Sequence, residues 1–360
     1  MRLGADFRAI AARLARDFRL VAEHRRAEAF SDELHKATEE LARRRTKIRW
    51  GTGDPLPTAR LDTILRRGTD TTTRNGFIHF PTDESGVAYG ERVLGPLRDG
   101  LDQDTFRAVF YYTEYSAPYN RLRHADPNSW FDELARARRE FEALRELVGE
   151  NPVPTVRRLV SISTRPDITV EQRELISRIV ARVESRAPGE VYGGPDEIWR
   201  KDFLYQRAAN NLGGPPDLQR AMQAMERMDR AFATPLPDSI HAQRGLHTID
   251  HLVDTEGRRI AGRYATIDEL RELVVGATQV DRGYGSYSLG ATPARIPGRP
   301  PYPHVIEQDI PAGSQGLWMG ERALIPDQRE LILARDTEFR IHEVRGDLDE
   351  VVIDAQVVAK

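Results

Sequence analysis

Hydrophobic residues recur at helical spacing in the first two thirds of the chain, and this pattern gives way to short apolar runs near residue 238. Helical signals dominate from about 88 to 232. Residues that favour helix starts predict three helices in this region: one over 130–147, one that begins after Asp167, and one over 217–232. After residue 238, apolar runs bounded by Gly and Pro predict strands. The predicted strands are 239–246, 284–289, 303–310, 316–320, 329–334, 337–344 and 350–357. Helices followed by strands predict an α+β fold and not a βαβ repeat.

The N-terminal region has its own pattern. Residues 5–46 place apolar side chains at helical spacing among charged ones, which predicts a packed amphipathic helix, with a membrane-surface helix as the alternative. Residues 51–85 are rich in turn-forming residues around one strand at Phe77–Phe80. The first eight residues are interrupted by charges and lack the apolar region of a signal peptide, and no apolar run is long enough to cross a bilayer.

The composition of the chain excludes several classes of function. The chain has 360 residues, of which 39% are hydrophobic and 30% charged, which is typical of a soluble globular protein with room for two domains. A net charge of -3 gives no general reason to expect binding to nucleic acid or to an anionic membrane. Because the chain has no cysteine, disulfides, thiol nucleophiles and cysteine-ligated zinc are excluded.

Four local patterns occur in one order along the chain. They are Tyr112–Arg123, Ile240–Leu246, Gly283–Gly290, and Ile310–Ser314 leading through Trp318 to Gln328-Arg329-Glu330. Each pattern alone is also found in ordinary turns and edge strands, so none of them identifies a function by itself. Their order carries more information than any one of them.

Together the patterns make the chain resemble the ADP-ribosyltransferases of the bacterial exotoxin type. The signature of that family is an Arg, a Ser-Thr-Ser strand and a Gln/Glu-x-Glu, and the resemblance covers about 105–120 and 217–358. It implies two antiparallel sheets around an NAD cleft, preceded by a helical N-terminal region. We therefore predict a delivery or docking region over 1–104 and an ADP-ribosyltransferase domain over 105–360, with a helical insertion at about 124–216.

The resemblance also assigns catalytic roles. Glu330 occupies the catalytic position, where its carboxylate would stabilise the ribosyl cation that forms when nicotinamide leaves. Ser286 would orient Glu330. Gln328 stands two residues before Glu330 where many relatives have glutamate, and glutamine there goes with acceptors other than arginine because an amide pairs with amides or hydroxyls.

Further residues would bind the dinucleotide. By the same resemblance Arg244 would hold the diphosphate, Gly245 would leave its backbone open to the nicotinamide amide, and Ser288 would brace the strand and Arg244. Arg295 and Arg299 are candidate phosphate contacts, with solvated loop arginines as the alternative. One departure is that Tyr287 stands where the family has threonine.

The resulting hypothesis is a mono-ADP-ribosyltransferase toxin or effector that uses NAD as substrate and no metal. The expected partners are a macromolecular acceptor, protein in preference to nucleic acid, and an immunity protein that covers the cleft. The protein would be secreted or delivered into a target cell without a cleaved signal peptide, and cytoplasmic in the producer before delivery. An NAD glycohydrolase and a non-catalytic docking protein remain alternatives. His247 and His251 are spaced like zinc ligands but lack the glutamate of a zincin motif.

Overall fold

A computed structural model describes residues 71–123, 126–148, 156–184, 195–294 and 301–358. The helix predicted over 5–46 and the candidate contacts Arg295 and Arg299 lie outside the described residues. Within them, most helices precede most strands along the chain, so the α+β prediction is confirmed. None of the helices in these ranges combines the length and the hydropathy that a membrane span requires.

Helices are concentrated in the first part of the described chain. They are α1 Asp83–Tyr89, α2 Gly95–Asp99, α3 Gln103–Glu114, α4 Ala117–Asn120, α5 Pro127–Val148, α6 Val156–Ser163, α7 Val170–Glu184, α8 Pro195–Leu212, α9 Leu218–Arg230 and α10 Ile267–Val274. Short polar residues begin several of them, because a side-chain oxygen accepts a hydrogen bond from a free backbone N–H of the first turn. Thr82 caps α1, Asp217 caps α9, and Thr266 caps α10.

Strands follow, apart from a short hairpin at the start. They are β1 Thr72–Arg74, β2 Phe77–His79, β3 Ile240–Leu246, β4 Thr278–Asp281, β5 Gly285–Ser288, β6 His304–Ile310, β7 Gly316–Trp318, β8 Glu330–Leu333, β9 Thr337–Gly346 and β10 Val351–Val357. Their order is β4-β9-β10-β6-β3-β5-β8-β7, with β2 added beside β3 and β1 beside β2. Most pairs are antiparallel, whereas β6 pairs with β10, and β2 with β3, in parallel.

The strand network divides between β3 and β5. These two strands are joined at one residue pair, Gln243 opposite Ser288, whereas β3 pairs with β6 along its whole length, from Ile240 to Leu246. One group therefore contains β4, β9, β10, β6 and β3, and the other contains β5, β8 and β7. The resemblance implied two antiparallel sheets, whereas the described strands form one connected network, with two parallel pairs, that is narrowest at this junction.

Three hydrophobic cores stabilise the described residues. The first spans both strand groups and includes Ile240, Ile353 and Leu331. The second packs α3 and α9 against the smaller strand group and includes Met228 and Ile332. The third is formed by α5, α6 and α7 around buried residues such as Ile176, and it shares no residue with the other two. The segment predicted as an insertion thus has a small core of its own.

Residues before 104 also belong to the packed structure. Phe80 and Tyr89 are buried in the first core. Glu91 accepts a hydrogen bond of 2.9 Å from the indole Nε1 of Trp318 in β7 and pairs at 3.0 Å with Arg98, which is only 3% exposed. Since a buried charge needs a partner, this pair holds α1 and α2 against the strands. The division at residue 104 remains a prediction.

The strands predicted after residue 238 are confirmed, as are the helices starting near 130, 169 and 217. Four elements were not predicted: β1, β4, α10, and α1, which begins in the segment predicted to be turn-rich. In β4 only Gln279 is buried, so the strand has no apolar alternation to reveal it. The sequence of α10 does carry a helix signal that was overlooked, because Thr266 and Glu269 form a capping box and Ile267, Leu270 and Val274 recur at helical spacing.

Candidate functional site

A cleft of about 400 Å³ opens where β3 meets β5 and β8. Every site residue predicted from the sequence and described by the structure lines it. These residues are Arg244, Gly245, Ser286, Ser288, Gln328 and Glu330. The strand register explains why these residues lie together. Gln243 of β3 pairs with Ser288 of β5, and β8 pairs with β5 on its other side.

Glu330 is the most unusual charged group of the cleft. It opens β8 opposite Ser288 and is only 5% exposed. Burial raises the pKa of its carboxyl to about 7, and a hydrogen bond from Ser286 opposes the rise. Its Oε2 has no hydrogen-bond partner among the described residues, although such buried atoms are normally satisfied. This buried oxygen is therefore unsatisfied within the described part of the chain, in a residue that lines the cleft.

Tyr112 and Asn120 lie on the helical side of the same cleft. The Tyr112 hydroxyl donates a 2.8 Å hydrogen bond to the carbonyl of Tyr284, and burial followed by the nearby charge of Glu330 raises the pKa of Tyr112. The buried Oδ1 of Asn120 is a second oxygen without a partner in the described part of the chain. Two unsatisfied oxygens thus lie in one cleft.

Arg244 is held on two sides. Its Nη1 forms an ion pair with Asp281 at the end of β4. Its guanidinium carbon lies 5.7 Å from the ring centre of Tyr287, within the range of a cation–π contact. The side chain keeps 30% of its surface exposed, so it remains accessible to an anionic ligand.

The two serines of β5 have different surroundings. Ser286 contacts Glu330 and Tyr112. Ser288 is fully buried, and its hydroxyl donates to the Gln243 carbonyl at 3.1 Å and accepts from the Ala294 N–H at 2.8 Å. Ser288 therefore ties β5 to β3 and to the loop that follows β5.

Gly245 lies directly under an aromatic ring. A β-carbon added there would come within 2.2 Å of Cδ2 of Tyr302, which no side chain can do without displacing the ring. Tyr302 in turn packs on His247, with 4.6 Å between the ring centres. The backbone at this point of β3 thus forms the cleft wall together with Tyr302.

Gln328 and Glu330 both line the cleft, but for a reason other than strand alternation. Residues two apart on a strand share one face, but Gln328 ends a 3₁₀ turn and β8 begins only at Glu330. Arg329 between them is left-handed, with φ of 49°. It is 6% exposed, forms an ion pair with Asp83, and donates to the Thr292 carbonyl at 2.7 Å. The turn is therefore fixed by a buried arginine.

Sequence reasoning missed several lining residues. Tyr112 and Asn120 stood within the first motif but received no role, and Tyr302 gave no signal at all because its position depends on β3. His247 and His251 also line the cleft. Burial, and then the charge of Arg244, lower the pKa of His251, so its imidazole is neutral at pH 7.

Comparison with known proteins agrees with the family resemblance over the C-terminal part of the chain. Residues 204–360 match the family model described as ADP-ribosyltransferase exoenzyme. The match does not extend to the first motif, which lies before it. No curated protein shows significant sequence similarity to the chain.

Several solved structures are similar to this chain. Plx2a, an ADP-ribosyltransferase toxin from Paenibacillus larvae, is 17% identical with a TM-score of 0.42, over 78% of this chain and 99% of its own. C3stau2 from S. aureus, solved with NAD, is 15% identical with a TM-score of 0.41, over 79% and 100%. The Clostridium limosum C3 exoenzyme is 14% identical with a TM-score of 0.41, over 79% and 98%.

The buried carboxyl of Glu330 generates a stability prediction. Its pKa of about 7 in the folded chain lies above the ordinary 4.5, so its contribution to stability is present below pH 4.5 and is lost as the pH rises through 7. Glu330→Gln removes this loss. We expect the free energy of unfolding of the variant, relative to the unmodified chain, to increase by about 3 kcal/mol at most between pH 4.5 and 8.

Urea unfolding at both pH values measures this difference. Glu338→Gln, at an exposed position of β9, is the matched control and should show no such trend. A difference between Glu330→Gln and the unmodified chain that stays constant with pH would contradict the raised pKa.

Proposed function

We propose that the ADP-ribosyltransferase exoenzyme domain formed by residues 204–360 makes this protein an NAD-dependent mono-ADP-ribosyltransferase toxin or effector. It would transfer ADP-ribose from NAD to a macromolecule and release nicotinamide. The observation that carries the proposal is Glu330, a buried carboxylate with an unpartnered oxygen in a cleft that also contains Arg244. A carboxylate in such a position costs stability, which a role in binding or chemistry explains.

The chemistry follows from the substrate. Nicotinamide leaves NAD as a neutral ring from a cationic glycosidic nitrogen, so the bond from that nitrogen to the ribose C1′ breaks without a general acid. Positive charge then develops on the ribose, and the acceptor forms the new bond to C1′ and gives up its proton. The task of the protein is to position the dinucleotide and stabilise this charge. Low polarity around Glu330 strengthens its interaction with a cation.

The raised pKa of Glu330 fits this task. With a pKa of about 7, the carboxyl is only partly ionised in the empty cleft at neutral pH. A cationic nicotinamide ribose favours the ionised form, because an adjacent opposite charge lowers the pKa of a carboxyl. Substrate binding would thus create the charge that the transition state requires. Ser286 would orient the carboxylate through its hydrogen bond.

Arg244 would bind the diphosphate of NAD, where a guanidinium matches the geometry of phosphate oxygens. Asp281 and the ring of Tyr287 restrict the guanidinium from two sides, which reduces the entropy lost on binding. Gly245 would present its backbone to the nicotinamide amide. Ser288 would support this arrangement by fixing the β3 backbone at Gln243. Arg295 and Arg299 stay candidate phosphate contacts.

Gln328 supports an acceptor other than arginine. It lies at the cleft next to the catalytic position, and its amide can pair with an amide or a hydroxyl but cannot deprotonate a guanidinium. Leu324 and Ile325 precede it in the turn that would contact the acceptor. We favour a protein acceptor over nucleic acid, an immunity protein that covers the cleft as a partner, and action in a target cell after secretion or delivery.

Labelled NAD in a target-cell lysate tests the proposal. The unmodified chain should label a macromolecule and release nicotinamide, and protease but not nuclease should remove the label. Glu330→Gln should reduce both signals by about 100-fold, because it removes one preorganised electrostatic contact to the transition state. Glu338→Gln on the exposed face of β9 is the matched control.

Two outcomes would favour the alternatives. Nicotinamide release without a labelled macromolecule would identify an NAD glycohydrolase. A chain that neither binds nor consumes NAD, and whose biological effect survives Glu330→Gln, would be a non-catalytic docking protein. Either outcome overturns the transfer reaction.

Gln328→Glu tests the acceptor assignment. The added carboxylate can orient a guanidinium, so the variant should gain transfer to free arginine derivatives and lose at least about tenfold of its transfer to the natural acceptor. Nicotinamide release into water should stay within about twofold, since Glu330 is unchanged. Gln315→Glu, an identical change at an exposed position, is the control. Unchanged acceptor preference in Gln328→Glu would contradict the assignment.

Asp281→Asn tests the orientation of Arg244. Loss of the ion pair frees the guanidinium, and we expect KM for NAD to rise about tenfold with kcat nearly unchanged, which corresponds to about 1.4 kcal/mol of binding. Initial rates of nicotinamide release measure both constants. Asp354→Asn breaks a surface pair with Arg345, outside the residues that line the cleft, and should leave KM unchanged. A KM that does not rise in Asp281→Asn would show that Arg244 needs no fixed partner.

A further inference from the structure

Two histidines and an aspartate meet on three neighbouring strands outside the cleft. His79 ends β2, His241 is the second residue of β3, and Asp309 lies directly opposite His241 on β6. None of the three lines the cleft at Glu330. The cluster is therefore separate from the proposed NAD site, although His241 and Arg244 share one strand.

The side chains are close enough to act together. The His241 Nδ1 lies 2.9 Å from Oδ1 of Asp309. The rings of His79 and His241 are stacked, with 4.2 Å between centres and 21° between planes. One potential ligand atom from each residue lies within 4.8 Å of the other two. Among the described residues, this is the group of three with the spacing of a metal site.

We propose that His79, His241 and Asp309 bind a divalent transition metal of the zinc class. Two imidazoles and a carboxylate are a common zinc ligand set, and three protein ligands leave one position for water. Zinc bonds of about 2.1 Å place tetrahedral ligand atoms about 3.4 Å apart. Rotation of the rings about their side-chain bonds can close the remaining gap, because all three residues keep part of their surface exposed.

The charged neighbours of the cluster partly offset one another. Only a deprotonated ring nitrogen can bind a metal, and each histidine can supply one. Arg74 on β1 lies near enough to affect His79 and opposes a second cation. The carboxylate of Asp309 offsets that charge. A hard cation such as Mg²⁺ is disfavoured, since it prefers oxygen ligands.

The fold gives this site a structural purpose. β2 and β3 pair at only one position, Ile78 opposite Ile240, so the N-terminal hairpin is weakly joined to the sheet. A metal held by β2, β3 and β6 would connect the hairpin to both neighbouring strands. This revises the expectation of a metal-free protein, which considered histidines close in sequence, whereas these ligands come from positions far apart in the chain.

Zinc titration of the chelator-treated full chain tests the site. Calorimetry should give one Zn²⁺ per chain with a Kd in the micromolar range or tighter, and the thermal unfolding midpoint should rise in Zn²⁺ but not in Mg²⁺. His79→Gln and Asp309→Asn should each weaken binding at least tenfold and abolish the rise. His342→Gln, an exposed histidine of β9, is the matched control and should behave like the unmodified chain.

Asp309→Asn also separates metal loss from misfolding, because asparagine can still accept a hydrogen bond from His241. Its circular dichroism and NAD turnover should match those of the unmodified chain without zinc. Equal zinc affinity in all four proteins, or no stoichiometric binding by the unmodified chain, would overturn the proposal. Neither result bears on NAD turnover, which Glu330→Gln tests independently.

Discussion

The structure depends on the narrow junction between β3 and β5. One backbone pair, Gln243 opposite Ser288, connects the two strand groups, so the sheet opens into a cleft at this point. The buried hydroxyl of Ser288 reinforces the junction through Gln243 and Ala294. Residues of the proposed NAD site lie on both sides of it, Arg244 on β3 and Ser286, which would orient Glu330, on β5. A wider ladder between β3 and β5 would close the cleft and leave no room for a dinucleotide.

At the edge of this cleft, burial disfavours the charge on Glu330 that the proposed function requires. Burial disfavours the charged form of Glu330 and thereby raises its pKa to about 7. Arg329, the residue before it, has a left-handed backbone with φ of 49°. This conformation costs a non-glycine residue about 1 kcal/mol. The ion pair with Asp83 and the hydrogen bond to Thr292 offset the cost. The helical region before residue 104 therefore helps to fix the turn that carries Gln328.

Local patterns were sufficient for part of this picture. The strands from β5 to β10 are short apolar runs, and glycine or proline separates most of them, so local patterns located them. The order of the motifs located Arg244 and Glu330. Contacts between distant segments could not be predicted in this way. Asp281 reaches Arg244 from a strand with no apolar alternation, and Tyr302 reaches Gly245 only because β6 pairs with β3. His79 lies more than a hundred residues from its partners in sequence. Gln328 lies in the cleft with Glu330, but a turn and not a strand places it there.

The departure at Tyr287 gains a physical meaning in this setting. Where the family pattern has threonine, this chain places an aromatic ring within 5.7 Å of the Arg244 guanidinium carbon. A cation–π contact contributes about 0.5–2 kcal/mol, more as water is excluded. Because Asp281 holds the guanidinium at one nitrogen and Tyr287 supports it from the side, its orientation is set before any ligand arrives. Arg244 is thus preorganised by a residue that the family pattern does not contain, and the substitution in the Ser-Tyr-Ser strand is consistent with an intact anion site.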